Sequence, residues 1–179
     1  MFYISEIQTE APKELKTDLQ KKVYSVLNEL NINFKRVDTQ EAITMDDCIL
    51  INQKLEMEMV KTLFLCNRQQ TEFYLVITVA NKPFKSKEFS QQLNIARLSF
   101  APVEVMQQLI GTTVGAATIF GTLLDEDNKI KVVFDEDLIK NEFYGCSDGL
   151  TTSYMKIKTD DILSKFLKYT KHQPIIVKL

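Results

Sequence analysis

The segment "MVKTLFLCNRQQTEFYLVITV", residues 59–79, constrains the fold more than any other part of the chain. Two apolar runs, rich in β-branched and aromatic residues, flank the polar "RQQ", which predicts a hairpin of two buried strands. In "MVKTLFLCN" six of the nine residues are apolar, as suits a strand covered on both faces. Lys61 nevertheless sits near its start. In a regular strand Lys61, Leu63 and Leu65 share one face, and Val60, Thr62, Phe64 and Cys66 share the other. A charge on an otherwise apolar face costs free energy unless it is paired or reaches an opening. On spacing alone, a lysine whose stem snorkels out to water is the simpler account.

Around this hairpin, helical and strand patterns are interspersed. A helix is predicted from Pro12 through "ELKTDLQKKVYSVLNELN", with Leu15, Leu19, Val23, Val26, Leu27 and Leu30 recurring at helical spacing. "NFKRVD" reads as a strand. "TMDDCILINQKL" reads as a helix with Thr44 as N-cap and Asp47 completing a partial capping box. Beyond Pro83, "SKEFSQQL" is a helix capped by Ser86, and "ARLSFA" is a brief strand. "PVEVMQQLIG" is a helix with Pro102 at its start and Gly111 past its end. "ATIFGTLLD" and "KIKVVFD" read as strands joined by the turn "EDN". "EDLIKN" is a short helix, and "EFYGC" and "LTTSYMKIK" form a hairpin around Asp148–Gly149. A helix capped by Thr159, "TDDILSKFLKY", and a strand, "PIIVKL", follow. This order predicts an α+β fold with a mixed, largely antiparallel sheet surrounded by helices. The 179 residues fit one domain with a full hydrophobic core, here expected to span 1–179.

Net charge is −2, so no global basic field exists to coat long nucleic acid, although a local grip on a short RNA remains compatible. Cys48, Cys66 and Cys146 are scattered, no CxxC pair occurs, and His172 is the only histidine, so no metal site is expected. The odd cysteine count without a signal peptide predicts a reducing cytoplasm. No apolar run approaches the roughly 20 residues of a membrane span. The chain lacks GxGxxG, GxxxxGK[ST] and GxSxG, and His172 beside Pro174 is poorly placed for a histidine-based triad. Acidic pairs such as Asp46–Asp47 and Asp160–Asp161 fall at predicted helix starts, where the dipole favours them. An enzyme built on this chain must work without histidine, thiolate relay, metal or cofactor.

Several stretches together resemble the YbaK/ProX family of aminoacyl-tRNA editing domains, and most closely its freestanding alanyl-tRNA(Pro) deacylase branch, the PrdX-type or prolyl-tRNA synthetase-associated proteins. They are "AITMDDCILIN" (42–52), "VKTLFLCNRQQTEFYLVI" (60–77), "KPFKSKEFSQQL" (82–93), "ARLSFA" (96–101), "VGAATIFGTLLDEDNKIKVVFDEDL" (114–138) and the tail from "KIKTDDILSKFL" onward. The match keeps the same order over nearly the whole chain. It implies hydrolysis of the ester between an amino acid and the tRNA 3′ end, with the tRNA's terminal ribose hydroxyl assisting. The family's lysine falls on Lys61, the small polar residue beside it on Thr62, and its glycine-led loop on Gly115, Ala116, Ala117, Thr118 and Ile119. Two departures stand out. Ile119 occupies the place where many members have proline. Tyr144, Gly145 and Asp148 stand where many have a His-Pro pair followed by Asn.

An aminoacyl ester is already activated, so a site works by positioning water and stabilising the oxyanion with an ammonium and backbone N–H groups. Through the resemblance, Lys61 and Gly115 are the expected catalytic positions, and Thr62, Ala116, Ala117, Thr118, Ile119 and Asp148 are expected to line the substrate. By turn chemistry alone the 115–119 loop is a tight turn and Asp148–Gly149 a hairpin turn. A cramped loop would admit alanine and exclude proline. Lys82, Lys85, Lys87 and Arg97 read either as a solvated helix start or as a phosphate grip on the tRNA acceptor end. Aminoacyl-tRNA is the implied partner, with prolyl-tRNA synthetase or an elongation factor as further candidates, and neither DNA nor membrane is implied. Cysteinyl-tRNA(Pro) as substrate, and a non-catalytic tRNA- or synthetase-binding module, remain the alternatives.

Overall fold

The computed structural model describes residues 1–42 and 44–179, so within the 42–52 stretch Ile43 lies outside the described residues. Eight strands form two sheets. β1 (Phe34–Asp38), β7 (Ser153–Lys158) and β6 (Phe143–Ser147) make an antiparallel sheet in the order β1-β7-β6. The second sheet runs β4 (Ser99–Phe100), β2 (Val60–Cys66), β3 (Phe73–Val79), β5 (Ile130–Asp135) and β8 (Ile175–Val177). Its β4-β2-β3 part is antiparallel, and β3-β5-β8 is parallel. The fold is therefore α+β with mixed, mostly antiparallel sheets, as the element order predicts.

The hairpin of residues 60–79 forms in the expected register, and its two faces separate as strand alternation requires. Phe64 and Cys66 enter the main hydrophobic cluster with Val60 packed against it, beneath α1 (Asp18–Glu29). Leu65 and Leu63 face a smaller cluster closed by Phe89 of α3 (Ser86–Gln92). A third cluster, containing Val37, Ile51, Leu55, Met57 and Tyr154, glues α2 (Met45–Leu55) to the outside of the three-stranded sheet. The α2 cap is the full capping box. Thr44 Oγ1 accepts from Asp47 N at 3.1 Å, and Asp47 Oδ2 accepts from Thr44 N at 2.9 Å.

Six local expectations are corrected. The first helix begins at Asp18 rather than near Pro12, because Thr17 caps it by accepting from Gln20 N at 3.0 Å. "ATIFGTLLD" is not a strand but a 3-10 turn, Ile119–Leu124. Its threonines serve the backbone: Thr118 accepts from Phe120 N, and the Thr122 hydroxyl donates to Ile119 O at 2.7 Å. Gly121 lets it press against α4 (Val103–Ile110), where an added Cβ would meet Ile110 Cβ at 2.6 Å. "EDN" accordingly closes no hairpin; Asp125 accepts from Lys129 N and Ile130 N and launches β5 parallel to β3. Ser86 donates to Leu98 O instead of capping, and β4 keeps only two of the six residues of "ARLSFA". Thr159 lies inside α5 (Thr159–Asp161) with its hydroxyl buried and unpartnered. A π turn (Ile162–Phe166) then leads into α6 (Leu167–Thr170).

The two sheets pack on one another through the main hydrophobic cluster, and among the described residues one backbone bridge also joins them. A single parallel bridge pairs Met59 with Gly145, at the start of β2 and the middle of β6. Gly145 is required there, since an added Cβ would lie 2.6 Å from Met57 Sδ and 2.9 Å from the Glu58 carbonyl oxygen.

Candidate active site

Lys61 lies directly opposite Thr78 on β3. The Thr78 hydroxyl donates to Asp135 Oδ2 on β5 at 2.7 Å. Lys82, in the chain leaving β3, places its ammonium 2.7 Å from the same oxygen and 2.8 Å from Asp137 Oδ2. The Lys61 ammonium donates to the Lys82 carbonyl oxygen. An ammonium carries three N–H donors, so two remain for a ligand. The charge on the apolar face is thus explained locally by a carbonyl partner, at the end of the strand where the leucines give way to polar neighbours.

Burial alone would raise the Asp135 carboxyl, but hydrogen bonds from Lys82, Thr78 and the Asp137 amide outweigh it and hold it below 3.8. Asp137 is lowered by Lys82 and then Lys140, and Lys82 is raised above 10.5 by Asp135 and then Asp137. The stabilisation from these carboxylates is fully present above their unfolded value and is lost as pH falls through the depressed folded values. That from Lys82 is present below 10.5 and lost as pH rises through its raised value. Denaturant titrations at a series of acid pH values are expected to show stability falling below pH 3.8. Asp135→Asn should flatten that acid limb while lowering stability at neutral pH. An unchanged acid limb in this variant would refute the assignment.

The second part of the site is the 115–119 loop. Gly115 has φ +88°, a conformation costly for any other residue, and is exposed. Ala116 N donates to Thr113 O at 3.1 Å, closing the turn. The backbone N–H groups of Gly115, Ala117 and Thr118 find no acceptor among the described residues. Thr118 is fully buried and donates to the Ser147 carbonyl oxygen at 2.9 Å, while Ser147 Oγ donates to Ala116 O at 3.4 Å. The loop is therefore tied to the last residue of β6. Beyond the Met59–Gly145 bridge the two strands part into separate sheets. Lys61 lies two residues past the bridge on β2 and Ser147 two residues past it on β6. Lys61 and the loop thus belong to strands that pass through the same junction, but Lys61 shares the face of Leu63 and Leu65 while β6 meets the Thr62 face, and no hydrogen bond among the described residues joins lysine and loop.

Other sequence-derived positions fall elsewhere. Thr62 points to the opposite face from Lys61, and its side chain lies beside the Tyr144 hydroxyl, which makes no well-formed hydrogen bond. Burial, aided by Cys146 and opposed by Thr62, pushes that phenol well above its ordinary range. Ala116, Thr118 and Ile119 are buried, so of the loop only the Gly115 backbone and the half-buried Ala117 offer surface to a ligand. Asp148 is fully buried. Its Oδ2 accepts from Tyr24 Oη at 2.6 Å, Ser153 Oγ at 2.8 Å and Gln20 Nε2 at 2.9 Å. It holds the β6–β7 turn onto α1 from beneath the loop. Lys82 is committed to two carboxylates, and Lys85 pairs with Glu88 at 3.2 Å on the surface. Lys87 and Arg97 are exposed, and Arg97 lines a cleft with Arg68 and Phe100. His172 is buried against Asp125, with Nε2 at 2.8 Å from the carboxylate.

A family model for the aminoacyl-tRNA editing domain matches residues 39–165. The chain belongs to that family. The editing domain is 30% identical over 122 residues to the prolyl-tRNA editing protein ProX of Acetoanaerobium sticklandii, covering 68% of this chain and 74% of that protein. It is 25% identical over 162 residues to prolyl-tRNA synthetase associated domain-containing protein 1 of Danio rerio, covering 89% of this chain and 87% of that one. A crystal structure of a protein proposed to be a trans-editing enzyme for prolyl tRNA synthetase superposes with a TM-score of 0.63 over 92% of this chain and 99% of its own. At 15% identity that likeness shows the fold alone.

The departures expected from the sequence acquire physical reasons in this editing domain. Ile119 opens the 3-10 turn with its side chain wholly in the core, so the residue that replaces proline is not part of the exposed loop. Tyr144 is fully buried, 6.3 Å from the Phe134 ring, and Gly145 admits the Met57 thioether and the Glu58 carbonyl. Ser147, which straps the loop, and Gln20, Tyr24 and Ser153, which hold Asp148, went unrecognised in the sequence. The glycine inside the predicted strand "EFYGC" was the one signal of a close backbone approach.

Proposed function

We propose that this editing domain is a cytoplasmic trans-editing hydrolase that removes alanine from alanyl-tRNA(Pro). What supports the reading is a lysine ammonium on β2 with N–H donors to spare, together with a glycine-led loop whose backbone N–H groups find no acceptor among the described residues, in a chain of the editing-domain family. Water attacks the ester carbonyl, the carbonyl oxygen gains charge, and the C–O bond to the terminal ribose breaks, releasing the amino acid and the tRNA hydroxyl. The loop N–H groups and Lys61 supply fixed dipoles and charge where the oxyanion forms. No histidine is needed, because the ester is activated and the ribose supplies hydroxyls within reach of its own carbonyl. Selection for alanine follows from the narrow wall of Gly115 and Ala117, since a pocket rejects what is too large better than what is too small. The burial of Ile119 supports catalysis over a merely binding role, because the altered residue leaves the exposed part of the loop unchanged.

The test is a panel of purified aminoacyl-tRNAs incubated with the protein. Alanyl-tRNA(Pro) should lose its amino acid well above the buffer rate, with prolyl-tRNA(Pro) spared. Preferential loss from cysteinyl-tRNA(Pro) would replace the substrate. No loss from any member would leave the fold as a binding module.

A further inference from the structure

A cleft of about 670 Å³ opens away from the sheet junction, with neither Lys61 nor Gly115 in its lining. Its basic wall is Lys35, Lys156 and Lys158. Lys35 and Lys156 are direct partners across β1 and β7, and Lys158 follows Lys156 on the same face of β7. Like charges directly opposite one another on a sheet destabilise it. None of the three forms an ion pair among the described residues, and Glu10 is the only acidic residue lining the cleft.

Lys156 is the decisive residue. It is only 9% exposed, yet among the described residues its ammonium has no hydrogen-bond acceptor, and it lies 4.0 Å from the centroid of the Phe143 ring. A nearly buried lysine whose ammonium reaches the lining of a cavity, with no carboxylate partner among the described residues, leaves its strongest interaction unmade. The remainder of the lining matches a specific kind of anion. Tyr24, Phe34 and Phe143 give aromatic surface, and the Tyr24 and Phe34 rings pack 5.5 Å apart. Asn28, Asn31 and Asn33 bring amide groups that both donate and accept.

We propose that this cleft binds a nucleotide: its phosphate on the lysines, its base against the aromatic rings, and the base edges read by the asparagines. Lysine is a suitable point charge for phosphate, and base–aromatic stacking is tolerant of base identity. The volume lies within the range of small-ligand sites. The nucleotide is either a free mononucleotide or a residue of an RNA chain, and both present the same chemistry to the cleft. The proposal is independent of the hydrolase reading, because binding is measured without turnover.

The common ribonucleoside monophosphates are titrated into the full chain by calorimetry, beside the matching nucleosides. At least one monophosphate should bind with one-to-one stoichiometry, weaken with salt, and exceed its nucleoside by about tenfold or more. Lys156→Met, which keeps the packed stem, and the exposed Lys35→Gln should each weaken that binding about tenfold. Lys156→Met should melt at or above the wild-type temperature, since it removes like-charge repulsion; a purely structural lysine would melt lower with nucleotide affinity intact. Absence of binding by every monophosphate, or affinity unchanged in both variants, overturns the proposal. Displacement of the bound monophosphate by unacylated tRNA identifies an RNA residue as the natural occupant; failure to displace it identifies a free nucleotide.

Discussion

Lys61→Ala is expected to lower kcat/KM for alanyl-tRNA(Pro) deacylation by at least about 100-fold, a loss of about 2.7 kcal/mol of transition-state stabilisation. The residue is only half-buried and its hydrogen bond goes to one carbonyl oxygen, so removing it should leave the melting temperature within a few degrees of wild type. The split between kinetic constants is informative. If Lys61 stabilises charge that develops in the transition state, kcat falls and KM stays nearly constant. If it only holds the tRNA end, KM rises and kcat survives. Lys61→Met, which preserves the stem, should behave like the alanine variant. Wild-type turnover in both variants, with folding intact, would remove Lys61 from the site.

Asp148→Ala should act in the opposite sense, on the fold before the chemistry. The carboxylate receives three donors in a place that water does not reach, and its removal strands Gln20, Tyr24 and Ser153 together. The cost of breaking such a buried cluster is about 3 kcal/mol or more. For a chain of this size that corresponds to a fall in melting temperature of about 10 °C. Burial first, and then the Asp148 charge, push the Tyr24 phenol far above its ordinary range, so it stays protonated and donating at any working pH. Asp148→Asn keeps an acceptor and should recover part of the loss. If Asp148→Ala instead melts like wild type while kcat collapses, the residue belongs to the reaction and not to its support.

Where the sequence was legible, local chemistry and long-range packing agreed. The 60–79 hairpin, the Thr44–Asp47 capping box and the Gly111 helix end each follow from residue types whose preferred partners are a few positions away. The errors share one cause. "ATIFGTLLD" has the composition of a strand, but its threonines bond their own backbone and Gly121 packs on Ile110, which only tertiary contact decides. Ser86 and Thr159 have the right side chains for caps, yet Ser86 found another acceptor and Thr159 found none. The lysine and glycine loop entered through resemblance to a family. The resemblance could not tell an exposed position from a buried one, so Ile119 and Asp148 looked like Gly115 on paper.

The bridge between Met59 and Gly145 has a consequence for fidelity. A continuous ladder would fix the spacing of the two sheets by many hydrogen bonds, whereas here, beside the bridge, side chains packed between them set it, among them Tyr144, Cys146 and Met155 of one sheet and Phe64 and Phe134 of the other. Proofreading demands that the wrong ester be cut and the right one spared, and on the proposed reading the space that discriminates between them lies beside this seam. On that reading, substitutions at Met57, a residue with no chemistry of its own that packs against Gly145, are expected to change the error rate, detectable as prolyl-tRNA loss before any change in alanyl-tRNA turnover.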